Sequence, residues 1–267
     1  MTLDLVELSA GSVRLVVDPG RGARLSSLSI AGDEMLVGPL DESGRQRPSF
    51  EWGSYPMAPF AGRIRHGRFE FGGGRFEIER RMEPHAIHGM VDDVEWSVVA
   101  RTSNELLVSV ETDRRWPFGC RVEQHLTLRA DRLRLRGTVI ARDTMPAQIG
   151  WHPWFRRPTI VDHAFHEWLP RDTEGLPLKH PVGSPPALDS TVDDCFVATG
   201  GPIALRVGST RLALSSDCSH WVVYNGAAHG VCVEPQSGPP NAVESGPHVL
   251  EPGQGLERWF EIDWSAT

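Results

Sequence analysis

Hydrophobic and polar residues alternate with a period of two along most of the chain. The run RFEFGGGRFEIER (68 to 80) alternates on both sides of three glycines, a hairpin signature. EWSVVARTSNELLVSVETD (95 to 113) predicts two strands around Thr-Ser-Asn. QHLTLRADRLRLRGTVIAR (124 to 142) predicts a pair around Ala-Asp, and PIALRVGSTRLALSSD (202 to 217) a pair around Gly-Ser. Shorter strands are predicted at SVRLVV, RLSSLSI, WVVYN, GVCVE and RWFEIDW. No amphipathic pattern of three helical turns survives the frequent prolines and glycines. The chain therefore reads as all-β, with antiparallel hairpins folded into stacked sheets. Proline-rich loops are predicted at 176 to 186 and 235 to 252. Neither is long or polar enough to link two domains, so residues 1–267 are read as one domain.

Composition narrows the function. The formal net charge is −8, which argues against nucleic acid or anionic membrane as a partner. No apolar run approaches a membrane span, and the first residues lack the basic and long apolar regions of a secretory leader. Cys120, Cys195, Cys218 and Cys232 form no CxxC pair. They read as reduced, packed thiols of a cytoplasmic protein. The 9 tryptophans against 2 tyrosines are mostly core material, because large aromatics dominate cores. Tryptophan is also the flat apolar platform against which a sugar ring packs.

Candidate chemistry lies in a few unusual settings. His152 sits among aromatics in QIGWHPWFRRP, and His88 precedes a glycine in PHAIHGM. Arg63 follows PFAG and opens the first hairpin. Asp193 and Asp194 stand in TVDDCF. Glu234 ends the apolar run GVCVE before Pro235, and a carboxylate at the end of a buried strand needs a partner. The spacings His85–His88 and His163–His166 are HxxH, but without a helix to align them they are not read as a metal site. A carboxylate, imidazoles and tryptophans together point to proton transfer on a sugar.

Five segments, in order, resemble those of the aldose 1-epimerase (galactose mutarotase) family. They are PFAGRIRHGRFEFGGGRFEI, AIHGMVDDVEW, GWHPWF, DDCF and VCVEPQSGPPNAV, spanning residues 56 to 243. The resemblance implies a β-supersandwich of large stacked antiparallel sheets, with a sugar in an open cleft. With no CxxC and no helical HxxxH or HExxH, no metal is expected, and proton transfer on a sugar needs no cofactor. The resemblance also implies Glu234 as general base and His152 as general acid. Arg63, His88 and Asp193 would hold sugar hydroxyls, Asp193 fitting the spacing to Phe196 better than Asp194. Trp154 is expected to line the cleft. A bell-shaped pH dependence is expected, rising as the carboxylate ionises and falling as the imidazole loses its proton.

The chain departs from the family pattern at Gly62, where asparagine is common, at Trp154, where tyrosine is common, and at Arg156, where asparagine is often found. Three rivals remain open at this point. A hexose-6-phosphate epimerase would need cations such as Arg65, Arg156 or Arg157 near the sugar's C6. A non-catalytic sugar-binding module would need no acid–base pair. A polysaccharide lyase or hydrolase is the third, and a hydrolase would want two opposed carboxylates. The sequence leaves the sugar and the oligomeric state open.

Overall fold

The computed structural model describes residues 5–157, 159–162, 165–188, 191–199 and 201–265. Two large antiparallel sheets dominate it, one of 10 strands and one of 8. The larger sheet runs in the order Val6–Ala10, Val13–Asp18, Arg24–Ile30, Ser54–Met57, Gly150–Arg156, Gly230–Gln236, His220–Tyr224, Asp193–Thr199, Phe165–Leu169, with Asp33–Glu34 paired beside Arg24–Ile30. The smaller runs Ser97–Arg101, Glu105–Glu111, Cys120–Leu128, Arg132–Ala141, Gly255–Ser265, Thr210–Ser216, Ile203–Val207, Thr159–Asp162. Among the described residues the only α-helix is the single turn Ala242–Ser245, and no helix is long and apolar enough to cross a membrane. The architecture is a β-supersandwich.

All four glycine- or polar-turned hairpins form. The 68 to 80 hairpin pairs Arg68–Phe71 with Gly74–Glu77 through Gly72 and Gly73, both at positive φ, as the tight primed turn requires. It stands apart as a small sheet of its own. Two sequence expectations need correction. The proline-rich stretch 235 to 252 is not one loop: it contains the end of Gly230–Gln236, the helical turn and the strand His248–Leu250. Arg63 does not open the following hairpin either. Arg63–Ile64 pairs with Ala86–Ile87, a ladder between residues too far apart in sequence for local patterning to reveal.

The core lies between the two large sheets. Leu8, Leu15 and Leu25 of one pack in the same buried cluster as Leu126, Leu133 and Phe260 of the other. Each such fully buried side chain contributes roughly 1.5–3 kcal/mol. Trp151 spans the layers: its ring lies 6.1 Å from that of Phe260, and its Nε1 donates to Gln124 Oε1 at 2.8 Å. Gly137 makes room for it, since a Cβ there would stand 3.0 Å from Trp151 Cζ2 and 2.4 Å from Ile149 Cδ1. The strand bearing His152 is thus anchored from behind. All four cysteines are buried and unpaired.

Candidate active site

The strands that carry the site alternate strictly. In Gly150–Arg156, Trp151 and Phe155 join the core between the sheets, while Trp154 packs with Cys232, Trp52 and Val37 on the opposite face. Pro153 does not interrupt this strand, so the two faces separate completely. In Gly230–Gln236, Val231 and Val233 face the core. Cys232, Glu234 and Gln236 therefore share the other face. Glu234 is interior to this strand, not at its end, because the strand continues through Pro235 to Gln236. Prolines occupy neighbouring strands here, Pro153 and Pro235, and neither has an N–H to give.

Register then brings distant residues together. Gly150 pairs with Gln236 and Trp154 with Cys232, which sets His152 opposite Glu234. Tyr55 pairs with His152 on the other side. The next row across the sheet runs Trp154, Cys232, Tyr224, Asp193. These two rows floor a cavity of about 410 Å³, within the roughly 300–1,000 Å³ usual for small-molecule sites. Arg63, His88, His152, Trp154, Asp193 and Glu234 all line it. Asp193 rather than Asp194 lines it. Of the tryptophans, only Trp154 does so among the described residues; most of the others are core.

His152 Nε2 and Glu234 Oε1 stand 3.2 Å apart, with the residues 5% and 3% exposed. Gln236 Nε2 donates to Glu234 Oε2 at 3.2 Å. Burial pushes Glu234 up to about 8, with nearby Asp193 adding to the rise and Arg171 and Arg63 opposing it. Burial pushes His152 down to about 3. Both shifts disfavour the ionised pair and favour a protonated Glu234 beside a neutral imidazole. His88 is held well below its ordinary value by burial, with His152 beside it. Its ring meets His152 edge-on at 4.5 Å, and its Nδ1 lies 3.0 Å from the Tyr55 hydroxyl.

The polar wall joins strand residues to a loop. Arg63 donates to the Gly175 carbonyl at 2.7 Å and lies 3.9 Å from Asp193. Arg171 pairs directly with the Asp193 carboxylate. Gly175 at φ 79° lets Arg63 in, since a Cβ there would stand 2.5 Å from Nη1. Gly62, at φ 63°, has no space for a side chain: its Cβ would lie 2.7 Å from Pro240 Cγ and 3.2 Å from Gln236 Oε1. Trp154 Nε1 donates to the Phe50 carbonyl at 2.5 Å.

Arg171, Tyr55, Gln236, Tyr224 and His229 were not foreseen from the sequence. Gln236 shares the alternation of Glu234 and was legible had the strand been read past Pro235. Arg171 lies in an irregular segment with no local signal. Of the HxxH residues, His85 faces away, with Nδ1 accepting from the His66 N–H at 3.1 Å and Nε2 2.8 Å from the Glu174 carbonyl. His166 is exposed, and His163 lies outside the described residues. His88, His152 and Glu234 instead present three ligand-type atoms within 4.8 Å of one another. Such a donor set would accept a divalent ion. Arg65 is tied to Asp172 and Glu174, and Arg157 to the carbonyls of Asn225 and Ala227. Neither these two nor the exposed Arg156 lines the cavity.

His88 and Gly89 both take positive φ, 60° and 77°. A Cβ on Gly89 would fall 2.3 Å from the Ala58 carbonyl oxygen and 2.6 Å from its nitrogen. Backbone atoms cannot retreat as a flexible side chain can. Gly89→Ala is therefore expected to destabilise the protein by more than about 1 kcal/mol, read as a lowered midpoint in thermal unfolding. An unchanged midpoint would show that the His88 turn tolerates another backbone conformation.

Known proteins share this fold. The chain is 28% identical over 178 residues to the uncharacterized protein YphB of Escherichia coli K12, covering 64% of this chain and 59% of that relative's length. It is similar in structure to a galactose mutarotase-like protein of Clostridium acetobutylicum, with a TM-score of 0.84 at 17% identity, covering 98% of this chain and 95% of that one. It is also similar to galactose 1-epimerase of Lactobacillus acidophilus, with a TM-score of 0.80 at 17% identity and the same coverage, 98% and 95%. At such identities these likenesses speak for the fold. The family's sequence profile, described as aldose 1-epimerase, matches residues 4–263, so the chain belongs to the aldose 1-epimerase family.

Proposed function

We propose that the protein is an isomerase that interconverts the α and β anomers of an aldose. The observation that carries this reading is the buried Glu234–His152 contact of 3.2 Å at the floor of a sugar-sized cavity. Anomer exchange needs one group to take the proton from the O1 hydroxyl and another to protonate the ring oxygen as the C1–O5 bond breaks. Rotation about C1–C2 and the reverse steps close the ring on its other face. A pair holding one proton between two sites meets this need without a cofactor. In this reading the proton passes to His152 as the O1 hydroxyl engages Glu234. Glu234 is then the base at O1 and His152 the acid at the ring oxygen.

Arg63, His88 and Asp193 would hold sugar hydroxyls, with Trp154 against the ring's apolar face. An uncharged aldose fits better than a phosphorylated one. The two arginines that line the cavity, Arg63 and Arg171, are both drawn to Asp193, which leaves no uncommitted arginine or lysine in its lining among the described residues. A binding module that had lost turnover would have no use for a buried acid–base pair.

The test follows freshly dissolved pure anomers of several aldoses by polarimetry or NMR, with catalytic amounts of protein. Acceleration over the spontaneous rate is expected for at least one neutral aldose. Prior dialysis against a strong chelator should leave that rate unchanged. Added Zn²⁺ should lower it, because the ion would occupy the groups that move the proton. A rate lost on chelation and restored by a divalent ion would overturn the metal-free reading. No acceleration with any aldose would overturn the function.

A further inference from the structure

A buried cation lies directly behind the site. Arg24 is 1% exposed and forms no ion pair among the described residues. Its Nη1 donates to the Trp52 carbonyl at 2.7 Å and its Nη2 to the Asp92 carbonyl at 3.3 Å, while Nε has no partner. A buried charge without a carboxylate partner is costly, and simple packing would be served better by an apolar side chain. The guanidinium instead sits between two rings, 4.5 Å from the centroid of Trp52 and 4.3 Å from that of Tyr55. The His152 imidazole stacks on Tyr55 at 4.8 Å and 13°. One ring offers two faces, so Arg24 and His152 lie on opposite sides of Tyr55. The result is a column of Trp52, Arg24, Tyr55 and His152. Gly53, at φ 70°, makes room for it: a Cβ there would stand 3.0 Å from Arg24 Cγ.

We propose that Arg24 and Tyr55 are positioning residues for the two histidines of the site, Arg24 acting wholly through the Tyr55 ring. This rests on the anomer-exchange reading above. A cation over one face draws π density toward itself. The hydroxyl becomes a stronger donor, and the far face packs best against an uncharged imidazole. Burial keeps the phenol protonated, far above its ordinary range, so the hydroxyl has a hydrogen to give. The Phe50 carbonyl is a second acceptor within reach of the hydroxyl, 3.3 Å away, and the more distant of the two. The Tyr55 hydrogen goes to His88 Nδ1 at 3.0 Å. His88 then carries its own proton on Nε2, as a donor for a sugar oxygen in the cavity it lines. One tyrosine thus sets the tautomer of His88 with its hydroxyl and the plane of His152 with its ring.

Two substitutions separate these effects. Tyr55→Phe keeps the stack and removes the hydroxyl, so KM should rise on the order of 10-fold while kcat stays within about threefold, as for loss of a partner that orients a binding group. Arg24→Met removes the cation, and kcat should fall on the order of 10-fold; Arg24→Lys should restore most of it. Equal losses in Arg24→Met and Arg24→Lys would overturn the role of the cation. A second readout needs no turnover. Long-range ¹H–¹⁵N spectra of histidine-labelled protein should show His88 protonated on Nε2 in the wild type and mixed tautomers in Tyr55→Phe. An unchanged His88 tautomer in Tyr55→Phe would overturn the proposal. If the wild-type protein exchanges no anomers, the function fails, and the spectra alone decide the column.

Discussion

Replacing Glu234 by glutamine is expected to slow anomer interconversion on the order of 10²-fold or more, the usual worth of a general acid–base group. The fold should survive, for a specific reason. Burial raises Glu234 to about 8, which favours the protonated carboxyl at neutral pH. Its two oxygens play different parts: one faces His152 Nε2 at 3.2 Å, the other accepts from Gln236 Nε2 at 3.2 Å. A glutamine amide reproduces both, its NH₂ donating to the neutral imidazole and its oxygen accepting from Gln236. No buried charge is stranded, and thermal stability should stay near that of the wild type. What is lost is the capacity to become a base. His152→Asn should cost a comparable factor by removing the acid. Equilibrium sugar binding should weaken less than turnover in both variants, because uniform binding and transition-state stabilisation are separable. Near wild-type turnover in Glu234→Gln would mean that Glu234 is not the base.

Activity of the wild-type protein is expected to persist well above the ordinary titration range of histidine. With unshifted groups, kcat/KM would rise as a carboxylate ionised near 4.3 and fall as an imidazole lost its proton near 6.5, in round figures. The shifts in this site run the other way, with Glu234 raised and His152 lowered. Between about 3 and about 8 the Glu234–His152 pair holds one proton, and the reaction needs that one proton. Above about 8 Glu234 loses it while His152 is already neutral, so no acid remains. Below about 3 His152 gains a second, so no base remains. The limbs belong to the pair as macroscopic values, and kcat/KM reports them for the free enzyme. The alkaline limb is the decisive one. It should be centred near 8 and vanish from any residual activity of Glu234→Gln. A half-loss centred near the ordinary imidazole value would refute the proton count assigned here.

The hairpins were legible because their causes are local. Gly72 and Gly73 supply the two positive φ values of a tight turn, and alternation on either side fixes which residues face inward. Alternation places Trp151 and His152 on opposite faces, and neither Pro153 nor Pro235 ends its strand, although Glu234 before Pro235 read as a strand end. Each strand instead carries a proline inside it, at positions where the two prolines' strands run side by side.

Alternation reports the face a residue takes but not which strand lies next to it. The order Ser54–Met57, Gly150–Arg156, Gly230–Gln236, His220–Tyr224, Asp193–Thr199 is set by packing between sheets and follows no sequence neighbourhood. Local settings and resemblance to a family together singled out Arg63, His88, His152, Trp154, Asp193 and Glu234, which line one cavity. They gave no reason for Arg171, whose pairing with Asp193 joins an irregular segment to a strand. Nor did they reveal Arg24, which reads in sequence as an ordinary polar residue at a strand start and lies buried against Tyr55. The sequence by itself determined the strands, the turns and the chemical groups available. Only the tertiary structure decided their partners and their charge states, because register across non-local strands and exclusion of water are properties of the assembled sheets.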